Sequence, residues 1–137
     1  MQQIYPAVKA IILHNHKFLI IRQIVAGQEV WDLPGGKVDY GESPYDTLFR
    51  EVKEELDMEV IIVKPVGLWW FFRLGDAVQI ICSTFLCKPK NTKIDLAKNP
   101  AQENIAEYRW VSKKDFLSSK YKTGHKSLKQ LIMGLEI

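Results

Sequence analysis

The sequence contains only two cysteines, Cys82 and Cys87, and an odd number of positions separates them. Side chains alternate between the two faces of a strand, so this spacing on one strand places the thiols on opposite faces. We therefore expect no disulfide between them. Two buried thiols in a reducing cytoplasm are the simplest interpretation.

The sequence also lacks an apolar run long enough to span a bilayer, and its first residues do not follow the pattern of an export signal. It contains no internal repeat and no low-complexity tract. A composition of 47% hydrophobic and 26% charged residues excludes a disordered or collagen-like chain. We expect a single domain over residues 1–137, located in the cytoplasm and without a membrane partner.

An excess of charge of one sign is nearly absent, because the formal net charge is only +3. Lysines do gather toward the C-terminal third, at Lys113, Lys114, Lys120, Lys122, Lys126 and Lys129. We interpret them as solvated surface, because runs of charge usually serve solubility. We therefore expect no stable nucleic-acid partner, and an RNA-binding protein stays open as an alternative that rests on these lysines and on exposed aromatic residues.

Residues with high β propensity dominate most of the chain. The predicted strands cover residues 7–13, 17–23, 30–33, 60–63, 68–73, 77–87 and 108–111. Turn-forming residues at 14–16 make a hairpin of the first two strands, and Gly75 and Asp76 form a turn before the 77–87 strand. We predict a polar surface loop over 88–104 and helices over 113–117 and 126–135.

The clearest helix covers Pro44–Leu56, with Ser43 as its N-cap and proline at its first position. The helical period predicts two neighbouring stripes on its surface. The apolar stripe, which we expect to pack on the core, comprises Tyr45, Leu48, Phe49, Val52 and Leu56. The acidic stripe comprises Glu51, Glu54 and Glu55.

The acidic stripe predicts a metal site. Three carboxylates within one helical turn repel one another unless a cation lies between them. Mg²⁺ prefers oxygen ligands and commonly takes a few carboxylates together with substrate phosphate oxygens. The alternative is a solvated acidic face whose charge is balanced by Arg50 and Lys53.

From Gly36 to Met58 the chain reads GKVDYGESPYDTLFREVKEELDM, and this segment resembles the Nudix box. The matching positions are Gly36, Glu42, Arg50, Glu51, Val52, Glu54, Glu55 and Met58. Asp57 stands where the box has its last glycine, and we expect it to end the helix in a left-handed conformation. The resemblance implies an α+β fold, an α/β/α sandwich in which helices flank a mixed β-sheet.

The resemblance also implies roles for individual residues. The ligands of Mg²⁺ or Mn²⁺ would be Glu51, Glu54, Glu55 and the backbone carbonyl of Gly35. Arg50 would orient the glutamates through a two-bonded contact with Glu42 or Glu54. The general base would be Glu54 or, in a downstream loop, Glu103, with Glu107 as a weaker candidate.

The resemblance implies hydrolysis of a phosphoanhydride bond in a substrate in which a nucleoside diphosphate is linked to another group. Residues 69–73 form an aromatic run that ends in a cation. We expect Trp70, Phe72 and Arg73 to bind substrate, with core packing of the run as the alternative. Positions 74–76 hold neither the proline nor the tyrosine that marks two of the subfamilies, which favours a nucleoside triphosphate pyrophosphohydrolase resembling the MutT group.

Other functions remain open at this point. A Nudix-like module could bind a nucleotide without cleaving it, or the enzyme could act on a nucleotide sugar or a dinucleotide. The sequence also leaves a homodimer open.

Overall fold

The computed structural model describes residues 1–25, 27–73, 75–96 and 105–137. The strands are β1 (Gln3–His14), β2 (Lys17–Val25), β3 (Gln28–Asp32), β4 (Gly35–Lys37), β5 (Val60–Arg73), β6 (Val78–Pro89) and β7 (Ile105–Val111). The helices are α1 (Pro44–Leu56), α2 (Lys113–Phe116) and α3 (Lys126–Met133). Among the described residues, no helix is long and apolar enough to cross a bilayer.

The strands form one mixed sheet in the order β3-β2-β1-β6-β5, with β4 added to β1 and β7 added to β2. Strands β1 and β6 run parallel, from Gln3 opposite Val78 to Ile12 opposite Cys87, and the other pairs are antiparallel. Successive residues of β1 point to opposite faces of the sheet and enter two separate hydrophobic clusters. The expected α+β fold, with helices flanking a mixed sheet, is confirmed.

The two clusters occupy opposite faces of the sheet. On one face, Leu48, Val52 and Leu56 of α1 pack in the cluster that also contains Val8 and Ala10 of β1. The cluster on the other face includes Phe116 of α2 together with Leu128 and Ile132 of α3. Helix α1 is therefore separated from α2 and α3 by the sheet.

The two cysteines follow this division. Cys82 belongs to the cluster beneath α2 and α3, Cys87 belongs to the cluster beneath α1, and both thiols are free. The expectation that they form no disulfide with each other is confirmed. Burial raises the pKa of each thiol to about 12, so both stay protonated at neutral pH.

Strand β5 differs from the prediction of two strands over 60–63 and 68–73. It is continuous across Pro65 and Gly67, and its register against β6 shifts between Ile62 and Lys64 and again between Pro65 and Gly67. In the part of the chain that the structure describes, β5 lies at the edge of the sheet, where a proline costs no ladder hydrogen bond. The irregularities therefore bend the strand without ending it.

The ends of α1 lie where the sequence predicts them. The side chain of Ser43 accepts a hydrogen bond from the Asp46 N–H (3.1 Å). Asp57 follows the last helical residue with φ 54° and ψ 38°, the left-handed conformation. Its N–H donates to the Lys53 carbonyl at 2.9 Å. Both expected helix caps are confirmed.

The predicted packing face of α1 is partly wrong. Leu48, Val52 and Leu56 are buried as expected, but Tyr45 is 53% exposed and Phe49 is 43% exposed. Glu51 and Glu55 take their place, with exposures of only 8% and 1%. The buried face of α1 therefore includes two acidic residues, which contact the glycines of β4 as described below.

Candidate active site

Strand β4 forms the floor of the site, and its shape depends on glycine. Gly35 lies opposite Lys9 and Gly36 lies opposite Val8 in the antiparallel pair of β1 and β4. A Cβ atom on Gly35 would lie 2.0 Å from the backbone oxygen of Val8, and the φ of Gly35 is +142°. Only glycine allows the two backbones to approach this closely.

Two glutamates of α1 reach this floor. The Gly35 N–H donates to Oε1 of Glu55 at 2.8 Å. The Glu51 carboxylate lies directly over Gly36, where an added Cβ would be 2.4 Å from Cδ and 2.6 Å from each carboxylate oxygen. The absence of a side chain at Gly36 thus makes the room that Glu51 occupies.

Arg50 forms hydrogen bonds with the carboxylates of Glu42, Glu51 and Glu54, and these four residues are called the Arg50 cluster below. Its Nε and Nη2 donate to the two carboxylate oxygens of Glu42 at 2.9 and 3.0 Å. Its Nη1 donates to Glu51 Oε1 at 3.0 Å and to Glu54 Oε2 at 3.2 Å. Such a forked contact fixes direction as well as distance, so one guanidinium orients three carboxylates.

The charges of Arg50 and Glu42 stabilise each other. Hydrogen bonds from Arg50, followed by the one from Thr47, lower the pKa of Glu42 to about 2. The hydrogen bonds to Glu42 in turn raise the pKa of Arg50 above its ordinary value. Both groups are therefore charged at neutral pH.

Comparison with known proteins decides the family. A family model described as "NUDIX domain" matches residues 4–132. This chain belongs to the Nudix family. The "RNA pyrophosphohydrolase" of Francisella tularensis subsp. mediasiatica (strain FSC147) is 30% identical over 122 residues, which are 79% of this chain and 78% of that protein. A similar protein of the same name from Cellvibrio japonicus (strain Ueda107) is 30% identical over 117 residues, 74% of this chain and 69% of that protein.

Solved structures give the same fold. The MutT protein from Methanosarcina mazei Go1 superposes with a TM-score of 0.78 at 26% identity, covering 96% of this chain and 92% of that one. The MutT NUDIX hydrolase from Burkholderia pseudomallei gives 0.80 at 17% identity, covering 98% and 100% of the two chains, a likeness that concerns the fold alone. The expectations of Nudix membership and of a hydrolase are confirmed.

The carboxylates of helix α1 are of the kind that binds a divalent cation. Glu51, Glu54 and Glu55 supply hard carboxylate oxygens from one helical turn, and the bare backbone of Gly36 leaves a cradle for the first of them. Within the described ranges, no three acidic, histidine or cysteine side chains lie together so that they could hold a metal ion as they stand. Arg50 draws Glu51 and Glu54 toward itself, and Gly35 holds Glu55.

The structure brings most of the predicted Nudix residues together, and their roles stay predictions. Glu103, the alternative general base, lies outside the described residues. Glu107, the weaker candidate, lies on β7, where its Oε1 is 2.8 Å from Nε of Arg22 on β2. The predicted carbonyl ligand from Gly35 lies on β4, beside the glutamates.

The predicted substrate residues lie exposed at the end of β5. Trp69 is buried and Phe71 is half-buried, whereas Trp70 and Phe72 are exposed, so alternation holds over residues 69–72. Arg73 is also exposed, but its position on the strand places it on the same face as Trp69. The His125 ring lies 5.7 Å from the Trp70 ring and 5.9 Å from the Phe72 ring. Helix α3 fixes this group, because the Ser127 hydroxyl donates to the Trp70 carbonyl at 2.8 Å and accepts from its N–H at 3.0 Å.

Sequence reasoning missed two polar residues around the glutamates, Thr47 and Asp39, and one beside the predicted substrate residues, His125. The Thr47 hydroxyl donates to Oε1 of Glu42 at 2.6 Å, and Asp39 lies 3.3 Å from Nη2 of Arg50. Thr47 lies three residues before Arg50 on the same helix, a spacing that could have indicated it. His125 gave no such signal, because it comes to Trp70 only through the docking of α3 on β5.

Proposed function

We propose that this Nudix protein is a metal-dependent pyrophosphohydrolase that cleaves a phosphoanhydride bond in the triphosphate group of a nucleotide. The observation that carries the proposal is the arrangement of Glu51 and Glu55, which are held on the two glycines of β4 beside the Arg50 cluster. A surface helix needs no such floor beneath its glutamates.

We assign a separate role in the reaction to each residue of the site. Glu51, Glu54 and Glu55 would hold Mg²⁺ or Mn²⁺, and Arg50, fixed by Glu42, would orient Glu51 and Glu54 by hydrogen bonds from one nitrogen, Nη1. When bound, the cation supplies neutralisation of the charge that develops on the phosphate oxygens. Glu54, which is partly exposed, would accept the proton of the attacking water, and Glu103 is the alternative base.

A nucleoside triphosphate is the first candidate substrate. The names of the relatives from Francisella and Cellvibrio support a second, the 5′-triphosphate end of an RNA. Both candidates carry the same reacting group, so the glutamate site serves either. The exposed rings of Trp70 and Phe72 would bind the nucleoside portion by stacking, and Arg73 at the end of the same strand would add a positive charge.

A substrate screen tests the proposal. We would compare ATP, GTP, an oxidised guanosine triphosphate, a 5′-triphosphorylated RNA oligonucleotide, a nucleotide sugar and a dinucleoside polyphosphate, each with Mg²⁺ and with a chelator, and identify both products. We expect triphosphate substrates to be cleaved only when the cation is present. The ratio of kcat/KM for the RNA to that for GTP decides between the two candidates.

Two results would contradict the proposal. Tight nucleotide binding without any product after long incubation with Mg²⁺ or Mn²⁺ would instead make the protein a Nudix module that senses nucleotides. Hydrolysis that is insensitive to the chelator would show that the glutamates act without a cation.

A further inference from the structure

A buried ion pair lies behind the floor of the site. Lys9 on β1 is 5% exposed and Asp32 at the end of β3 is 8% exposed. The Lys9 Nζ donates to Asp32 Oδ2 at 2.8 Å and to the Leu33 carbonyl at 3.4 Å. The other oxygen of Asp32, Oδ1, accepts the Leu33 N–H at 2.7 Å. The pair thus binds the backbone at Leu33 through both of its side chains.

The pair also borders the residues that hold Glu55. Gly35 follows Asp32 by three positions and lies directly opposite Lys9 in the β1–β4 register. Between them, the Pro34 carbonyl accepts a hydrogen bond from the Ala10 N–H at 2.9 Å. Segment 32–35 is therefore fixed at its start by the ion pair and at its end by β1. The Gly35 N–H at that end contacts Glu55.

Stability alone does not explain such a pair. Removing two charges from water costs about as much free energy as their attraction returns, and an apolar pair of similar volume is often equally stable. Burial by itself would lower the pKa of Lys9. The charge of Asp32 and, among smaller contributions, that of Glu55 outweigh this effect and raise the pKa above its ordinary value, so the ammonium stays charged. What a directional pair supplies in addition is one fixed position for the backbone it contacts.

We propose that Lys9 and Asp32 are positioning residues, whose ion pair fixes segment 32–35 so that the Gly35 N–H holds the Glu55 carboxylate in its working orientation. The catalytic part of this inference rests on the proposed hydrolase function, whereas the structural part concerns the Gly35 amide alone.

The test uses the full chain with four substitutions. Lys9→Met and Asp32→Asn each break the pair, and the double variant Lys9→Met/Asp32→Leu replaces it with apolar side chains so that no unpaired charge stays buried. Leu128→Ala, in the cluster beneath α3, is a control that loses stability on the opposite face from α1. Two experiments are made: hydrogen exchange of the Gly35 amide in metal-free protein is followed by NMR, and kcat and KM are determined by steady-state kinetics at saturating Mg²⁺.

We expect Gly35 exchange to accelerate at least about tenfold in the single and double variants, with kcat reduced about tenfold or more and KM nearly unchanged. The double variant should regain thermal stability without regaining kcat. Leu128→Ala should change neither the Gly35 exchange rate nor kcat beyond its effect on global unfolding. If single variants do not fold, the double variant gives the same readouts.

Two outcomes overturn the positioning role. One is a double variant with the exchange rate and kcat of the unmodified protein, and the other is a Leu128→Ala control that reproduces both changes. A protein that hydrolyses no phosphoanhydride, yet shows faster Gly35 exchange in Lys9→Met, would refute the proposed function and retain the structural part of the inference.

Discussion

Substitution of Glu55 by glutamine is expected to lower kcat for phosphoanhydride hydrolysis at least about a hundredfold. Glu55 is almost fully buried, and its Oε1 accepts the Gly35 N–H at 2.8 Å. The amide oxygen of glutamine can accept the same hydrogen bond, so the fold is retained. The negative charge, which the proposed cation requires, is lost. Steady-state kinetics at several Mg²⁺ concentrations measure the effect, and circular dichroism confirms folding.

Glu59→Gln is the matched control, because Glu59 lies three positions after α1 and is exposed. It removes the same charge from the same region of the chain, and we expect kcat to stay close to that of the unmodified protein. If Glu55→Gln retained a kcat similar to that of this control, Glu55 would have no part in the reaction.

Gly36→Ala is expected to lower activity at least about tenfold and to leave folding stability nearly unchanged. The new methyl group would lie 2.4 Å from Cδ of Glu51, so this carboxylate must move. Because it is the far end of a flexible side chain, moving it costs little free energy. The substitution therefore displaces a proposed ligand without disturbing the core. Calorimetric titration with Mn²⁺, thermal unfolding and kcat measure the three consequences separately.

Gly134→Ala serves as the control for the same chemical change. A Cβ at Gly134 would lie 3.6 Å from its nearest neighbour, an ordinary contact, and we expect no effect on Mn²⁺ affinity or kcat. Unchanged Mn²⁺ affinity in Gly36→Ala would mean that Glu51 is not a ligand. A large loss of stability would mean that the floor beneath it is less tolerant than its geometry indicates.

The sequence was sufficient for α1 because its ends depend on neighbouring residues. Ser43, Pro44 and Asp57 act within one turn of the helix, so local rules identify them. The same holds for the spacing of Arg50, Glu51, Glu54 and Glu55, which is a property of one helix.

Long-range contacts decided what the sequence could not predict. The burial of Glu51, in contrast to the exposed Phe49, involves contact with β4, a three-residue strand that pairs with β1 far away in sequence. The Lys9–Asp32 pair joins residues 23 positions apart. Continuity of β5 across Pro65 depends on its place at the sheet edge, which its own composition does not encode.

The most direct measurement is the position of Mn²⁺ in crystals of the protein soaked with the ion and a non-hydrolysable nucleotide analogue. Anomalous scattering locates manganese independently of any assumption about ligands. We predict a peak within coordination distance of carboxylate oxygens of Glu51 and Glu55, on the side of α1 that faces β4. A manganese peak elsewhere, or none beside these glutamates with the nucleotide bound, would contradict the assignment of α1 as a metal-binding helix.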